Sequence, residues 1–207
     1  MFDLSVLVTF TLACIAIIVV PGPSVTVIIA NSLKSGTRAG LANVAGTQAG
    51  IAIMIFILAI GLDTIVENLA HVFTYLKLAG AAYLIWLGIK LWLSDGSLGE
   101  IEDVKPLKSL RRYFWQGFIA ILSNPKALFF FGAFIPQFVN PAYDTVTQTL
   151  VLGLIFMGTA TVFDGLYAIA AGKTGGLLNR SNIRLVERIS GTCLIGGGLW
   201  LAFSKKA

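Results

Sequence analysis

The chain has 207 residues, of which 57% are hydrophobic and 12% charged, and its mean hydropathy is +0.86. One core of this size cannot bury so much apolar side chain, so the composition excludes a water-soluble domain and makes lipid the solvent. The net charge of +5 would suit nucleic acid, but the basic residues lie between apolar runs and read as orientation signals; no nucleic-acid partner is expected.

Six apolar spans follow in chain order, each near the ~20 residues that cross a bilayer core. The first covers about residues 4–33 and is interrupted at Pro21-Gly22-Pro23. No lysine or arginine precedes it, so it reads as a retained span rather than a cleaved leader. A short loop, 34–38, leads to the second span, about 39–62, after which Asp63, Glu67 and His71 form a turn. The third covers about 72–93 and is followed by a polar loop, 94–112. The fourth, 113–139, is interrupted at Asn124-Pro125-Lys126 and closed by Asn140-Pro141. The fifth covers about 145–171. A basic segment with Lys173, Arg180, Arg184 and Arg188 then precedes a short, glycine-rich sixth span, about 189–203.

Lysine and arginine concentrate in the first, third and fifth loops, which places those loops in the cytoplasm and both termini outside. Trp92 and Trp115 flank the long loop as an aromatic belt would, and Lys77 and Lys90 are within snorkelling reach of the interface. The expected fold is an all-α membrane protein, one transmembrane domain of six helices with helices one and four broken. Its first repeat is about 1–93, its cytoplasmic loop 94–112 and its second repeat about 113–207. Each half opens on a proline-broken span, and the third span has KLAG at 77–80 where the sixth has RISG at 188–191. A three-span repeat must be inverted relative to its copy, a recurring build of secondary transporters. The competing reading is a chance match between apolar helices.

Depth counted at ~1.5 Å per residue puts Gly22, Gln48, Tyr83, Lys126 and Asp164 roughly 10–20 Å from the cytoplasmic face. A lysine within a span costs about 2.5–3.5 kcal/mol on insertion scales, so such residues face the bundle interior or a water-filled cavity. Lys126 and Asp164 are expected to face each other across a small cavity; a static buried ion pair is the alternative. Both breaks free backbone groups, and the half-helices beginning at Ser24 and after Pro125 present N–H donors and a positive dipole end to an anion. Plain kinks satisfied by neighbouring helices are the alternative there. In the second span Ala42, Gly46 and Gly50 form a small-residue stripe for close packing, while Gln48 points to the far side, toward substrate or another helix. Tyr83, Gln116 and Gln137 are accounted for by interface or helix–helix bonding. The candidate substrate-binding residues are Pro21, Gly22, Pro23, Ser24, Gln48, Asn124 and Lys126, with Asp164 for proton coupling.

Cys14 and Cys193 sit in different apolar runs with no CxxC, as small buried hydrophobes would. HExxH and GxSxG motifs are lacking and there is a single histidine, His71, so neither an enzyme, a metal site nor a cofactor is expected.

Four segments together resemble the LysE/RhtB family of amino-acid exporters: Pro21-Gly22-Pro23, GTQAG at 46–50, LKLAGAAYLIWLG at 76–88 and NPKALFFFGAFIPQF at 124–138. The RhtB branch looks closer than the lysine branch. Asp164 stands where the family usually has an acidic residue, and Ser24 where many relatives have asparagine. The resemblance implies a bacterial inner-membrane exporter of neutral, threonine- or homoserine-like amino acids, driven by the proton gradient. Its partners would be an amino acid, protons and membrane lipid, and it is compatible with a homodimer. The alternatives are a membrane thiol-redox conduit, which needs Cys14 and Cys193 to meet, and a small-solute channel.

Overall fold

The computed structural model describes residues 2–19, 22–68, 78, 81–82, 85–86, 88–90, 92–93, 109–174 and 180–203. Among these residues the chain is all helical, with no strand. Its helices are α1 (Leu4–Val19), α2 (Pro23–Ser35), α3 (Thr37–Asn68), α4 (Leu110–Leu122), α5 (Pro125–Phe129), α6 (Thr145–Thr174) and α7 (Arg180–Phe203). From the end of α5 the backbone winds through a π-helical turn, Phe130–Phe134, and a 3₁₀ turn, Ile135–Phe138.

Two stretches, Thr37–Gly61 and Thr145–Lys173, are single helices long and apolar enough to cross a membrane. Two further spans arise if each bent pair counts as one: α1 with α2, bent by 54°, and α4 with Pro125–Phe138, bent by 51°. Proline at the first helical position explains both bends, since Pro23 and Pro125 start a helix readily but cannot continue one. Large apolar side chains such as Phe56, Ile57, Leu154 and Leu166 are exposed on the outer faces of α3 and α6, as lipid-facing residues are. Threonine and serine hydroxyls within the helices bond back one turn, as Thr149 does to Thr145 O and Ser32 to Ile28 O.

Several expected boundaries move. The 34–38 loop reduces to one residue, Gly36, whose φ of +83° is the left-handed conformation that ends α2 before α3 starts at Thr37. Asp63 and Glu67 lie on α3, not in a turn, because a carboxylate does not stop a helix. Arg111 and Arg112 belong to α4 rather than to the polar loop. The basic segment before the sixth span is helical at its described ends, Lys173 closing α6 and Arg180 opening α7. Arg180, Arg184 and Arg188 are the first half of the 24-residue α7, so that helix is neither short nor apolar throughout. The described residues of the third span, Leu78 to Trp92 in scattered positions, are helical; His71, Lys77, Tyr83 and loop residues 94–108 lie outside the described residues.

Glycine sets how closely the helices approach. A methyl on Gly46 would overlap the Phe114 carbonyl, and one on Gly117 would overlap Asn43, so α3 and α4 meet backbone to backbone. The stripe holding Gly46 and Gly50 is thus a packing surface. Gly88 approaches Gly191 O, and Gly198 approaches Ala81 O, which seats the third span on α7. The main core gathers Phe10, Cys14 and Ile17 of α1, Ile51 and Ile55 of α3, Phe130, Phe131 and Phe134 of the π-helical turn, and Leu152 and Phe156 of α6.

Candidate functional site

The two helix breaks lie against each other. Asn124, which precedes Pro125, accepts from the Lys126 backbone N–H at 3.0 Å, a helix N-cap. Its amide nitrogen donates to Ser24 Oγ, in the first turn of α2, at 3.2 Å. Both residues are buried, and that bond joins positions a hundred residues apart. Gly22 completes the approach: a Cβ there would stand 3.1 Å from Lys126 Nζ and 3.2 Å from its Cε. The Lys126 side chain therefore runs close against the glycine, where a methyl would make it give by a few tenths of an ångström.

The last four carbonyls of a helix lack partners inside it. At the end of α1, Ile17 O accepts from Lys126 Nζ at 2.9 Å, and Val19 O accepts from the Tyr167 hydroxyl at 2.9 Å. A cation at the negative end of a half-helix is favourably placed. The carbonyls released by the first break are thus met by side chains of α5 and α6.

These groups border a small cavity, with about 390 Å³ of empty space once its open mouth is included. Its polar lining is Ser24, Asn124, Lys126 and Asp164; Ile17, Ile51, Ile121, Phe130, Phe156 and Ala160 supply apolar wall. Lys126 and Asp164 are 7% and 6% exposed and act on each other electrostatically. Asp164 Oδ1 is buried and has no hydrogen-bond partner. Ser24 and Val25, whose backbone N–H groups belong to the unpaired first turn of α2, also line the cavity. The arrangement offers fixed donors and one ammonium to an anion, and one carboxylate to a cation, inside a largely apolar enclosure.

Phe130 closes one wall. Its ring stacks on Phe134 at 5.0 Å and lies 4.9 Å from Phe156, while Phe131 meets Phe156 edge-on at 5.0 Å. Phe10 joins from α1 through Phe138 at 5.1 Å.

Of the residues picked from the sequence, Ser24, Asn124, Lys126 and Asp164 come together around the cavity, with Gly22 against Lys126 and Pro23 heading α2. Pro21 lies outside the described residues. Gln48 does not line the cavity; both polar atoms of its amide are buried without a partner. Gln116 bonds between helices, accepting from Asn31 at 2.9 Å, and Gln137 donates to its own helix at Ala133 O. Cys14 is buried in the main core, and the Cys193 side chain lies outside the described residues.

Sequence reasoning missed two features. Tyr167 sits three residues after Asp164, hence on the same face of α6, and that spacing was the available signal. Asn31, Asn43, Gln116 and Tyr113 form a buried network joining α2, α3 and α4: Asn31 donates to Asn43 Oδ1 at 2.8 Å, and Asn43 donates to Tyr113 O at 2.6 Å. Each reads alone as an ordinary polar residue, and only their convergence distinguishes them.

Several known proteins are similar to this chain. It is similar over nearly its whole length to an uncharacterized membrane protein of Vibrio cholerae, 31% identical over 204 residues, covering 98% of this chain and 99% of that one. A homoserine/homoserine lactone efflux protein of Salmonella typhimurium is 36% identical over 134 residues, 65% of each chain. A leucine efflux protein of Salmonella choleraesuis is 30% identical over 135 residues, 64% of this chain and 62% of that one. No solved structure matches. The family described as LysE type translocator matches residues 15–205, and the chain belongs to that family of membrane transport proteins.

Proposed function

We propose that this protein is a secondary transporter that exports neutral, threonine- or homoserine-like amino acids from the cytoplasm in exchange for protons. The observation that carries the reading is the junction of two helix breaks at one buried cavity holding a lysine and a carboxylate. An amino acid is a zwitterion, and the cavity has complementary ends. The first turn of α2 at Pro23 and Ser24, with Lys126 close by, suits the carboxylate. Asp164 suits the ammonium group. Gly22 leaves room for Lys126 at the first break, and Asn124 caps the second. Relatives named as homoserine and leucine efflux proteins support an amino-acid substrate.

Asp164 accounts for coupling. A buried carboxylate with an unpaired oxygen holds either the substrate's ammonium or a proton. A proton arriving from outside displaces the amino acid, and its release inside makes the site ready again. The architecture we infer is six spans in two inverted three-helix repeats, in the bacterial inner membrane, with the basic loops cytoplasmic and both termini outside. The 54° and 51° bends at matching places in the two halves favour it.

The test is counterflow in proteoliposomes carrying the purified protein. Saturable uptake of labelled amino acid, driven by unlabelled amino acid inside, is expected. Linear, unsaturable flux would instead support a channel.

A further inference from the structure

Gln48 is set apart among the buried amides of the described residues. Asn31 donates to Asn43 and Gln116, Asn43 to Tyr113 O, Asn124 to Ser24, and Gln148 to Asn140 O. The Gln48 amide nitrogen and oxygen are both buried without a partner, and Asp164 Oδ1 shares that condition. An unpaired buried amide is unfavourable, so its persistence calls for a ligand or a function.

The packing places the two orphans at one level. α3 and α6 run side by side in opposite directions: Gly172 approaches Thr37, Gly40 approaches Ala168, and Gly153 approaches Ile55. Along α3, Gln48 comes one turn after Val44, which packs with Ala168. Along α6, Asp164 comes one turn before Ala168. At 100° per residue, Gln48 shares a face of α3 with Val44, Ile51 and Ile55. Ile51 lines the cavity together with Ala160 and Asp164. Gln48 therefore stands on the face of α3 that meets α6, at the level of the carboxylate.

We infer that Gln48 is the specificity-determining residue for the substrate's side chain, and that it selects a hydroxyl group. The inference rests on the amino-acid transport reading above. With the α-ammonium at Asp164, the side chain extends toward Gln48. An amide offers donors on its nitrogen and acceptor lone pairs on its oxygen, and a hydroxyl is the small group that both gives and takes. A carboxylate or ammonium side chain would use only half of the amide. A site built to bond a hydroxyl discriminates strongly against the analogue that lacks it, because its own polar atoms are then left unpaired.

Threonine and valine have the same shape and differ by that hydroxyl, so they are the probe pair. In proteoliposomes the parent chain is expected to prefer threonine, read as the ratio of kcat/KM for the two. In Gln48→Leu and Gln48→Met that ratio is expected to fall roughly tenfold, the worth of one neutral hydrogen bond. Thermal unfolding of the same samples should show both variants at least as stable as the parent, since an unpaired amide has been removed. A threonine-to-valine ratio unchanged by either substitution overturns the inference and leaves amino-acid export standing, as does a lowered Tm with both substrates falling equally. A parent chain that moves no amino acid removes export and this inference together.

Discussion

Asn124 donates to Ser24 across 3.2 Å, so the residue that caps one broken helix holds the first turn of the other. This bond ties the first quarter of the chain to the start of its second half at the level of the buried lysine. The architecture around it is economical in chemistry, since the carbonyls freed by the first break are bonded by Lys126 and Tyr167.

Asn124→Ala removes both the cap on the Lys126 N–H and the tie to Ser24. A lost N-cap costs about 1 kcal/mol, and the loss of a buried partner for Ser24 adds to it. Chemical unfolding in detergent should show that destabilisation, with Asn124→Ser recovering the cap but not the tie. Equal stability of Asn124→Ala and the parent would mean that the breaks do not depend on one another.

Gly22→Ala tests the space left for the lysine. A methyl at 3.1 Å from Nζ makes the ammonium give by a few tenths of an ångström and strains its bond to Ile17 O. A shift of that size at a binding group lowers transport severalfold, up to about tenfold. Efflux assays should show that loss while the amount of folded protein in the membrane changes little.

Gly46→Ala and Gly158→Ala should act in opposite directions. The first overlaps the Phe114 carbonyl and forces α3 from α4, a destabilisation of about 1–3 kcal/mol. The second meets nothing within 4 Å, and alanine in a helix interior gains about 0.5–1 kcal/mol over glycine. Melting temperatures of the pair, measured in one detergent, check the sign of each.

Asp144 lies outside the spans, just before α6, and accepts from the Thr147 N–H at 2.7 Å. The Thr147 hydroxyl first, and its backbone N–H second, hold the carboxyl below the usual carboxylate range. A depressed folded-state pKa stabilises the fold above the unfolded-state value, and that stabilisation is lost as pH falls through the folded-state value. Asp144→Ala should therefore melt below the parent at neutral pH, and the gap should close under acid. A gap independent of pH would assign the effect to something other than the charged cap.

Much of the site was legible because its residues break rules that lipid enforces. Prolines inside apolar runs located both bends, and the charges of Lys126 and Asp164 inside spans located the cavity they now line. Helix ends were less legible. Arg184, Arg188, Lys34 and Arg38 were read as loop residues, yet charge alone does not end a helix; a single left-handed Gly36 does. Which side chain meets which freed carbonyl was less legible still. Tyr167 reaches Val19 from 148 residues away, and no local pattern encodes a contact made by tertiary packing.

The most direct measurement is amino-acid efflux from proteoliposomes under an imposed pH gradient, comparing the parent with Asp164→Asn. The proposed mechanism requires the gradient to accelerate efflux by the parent and to have no effect on Asp164→Asn, which cannot exchange a proton for the substrate. Equal, fully gradient-driven efflux by the two proteins would contradict it.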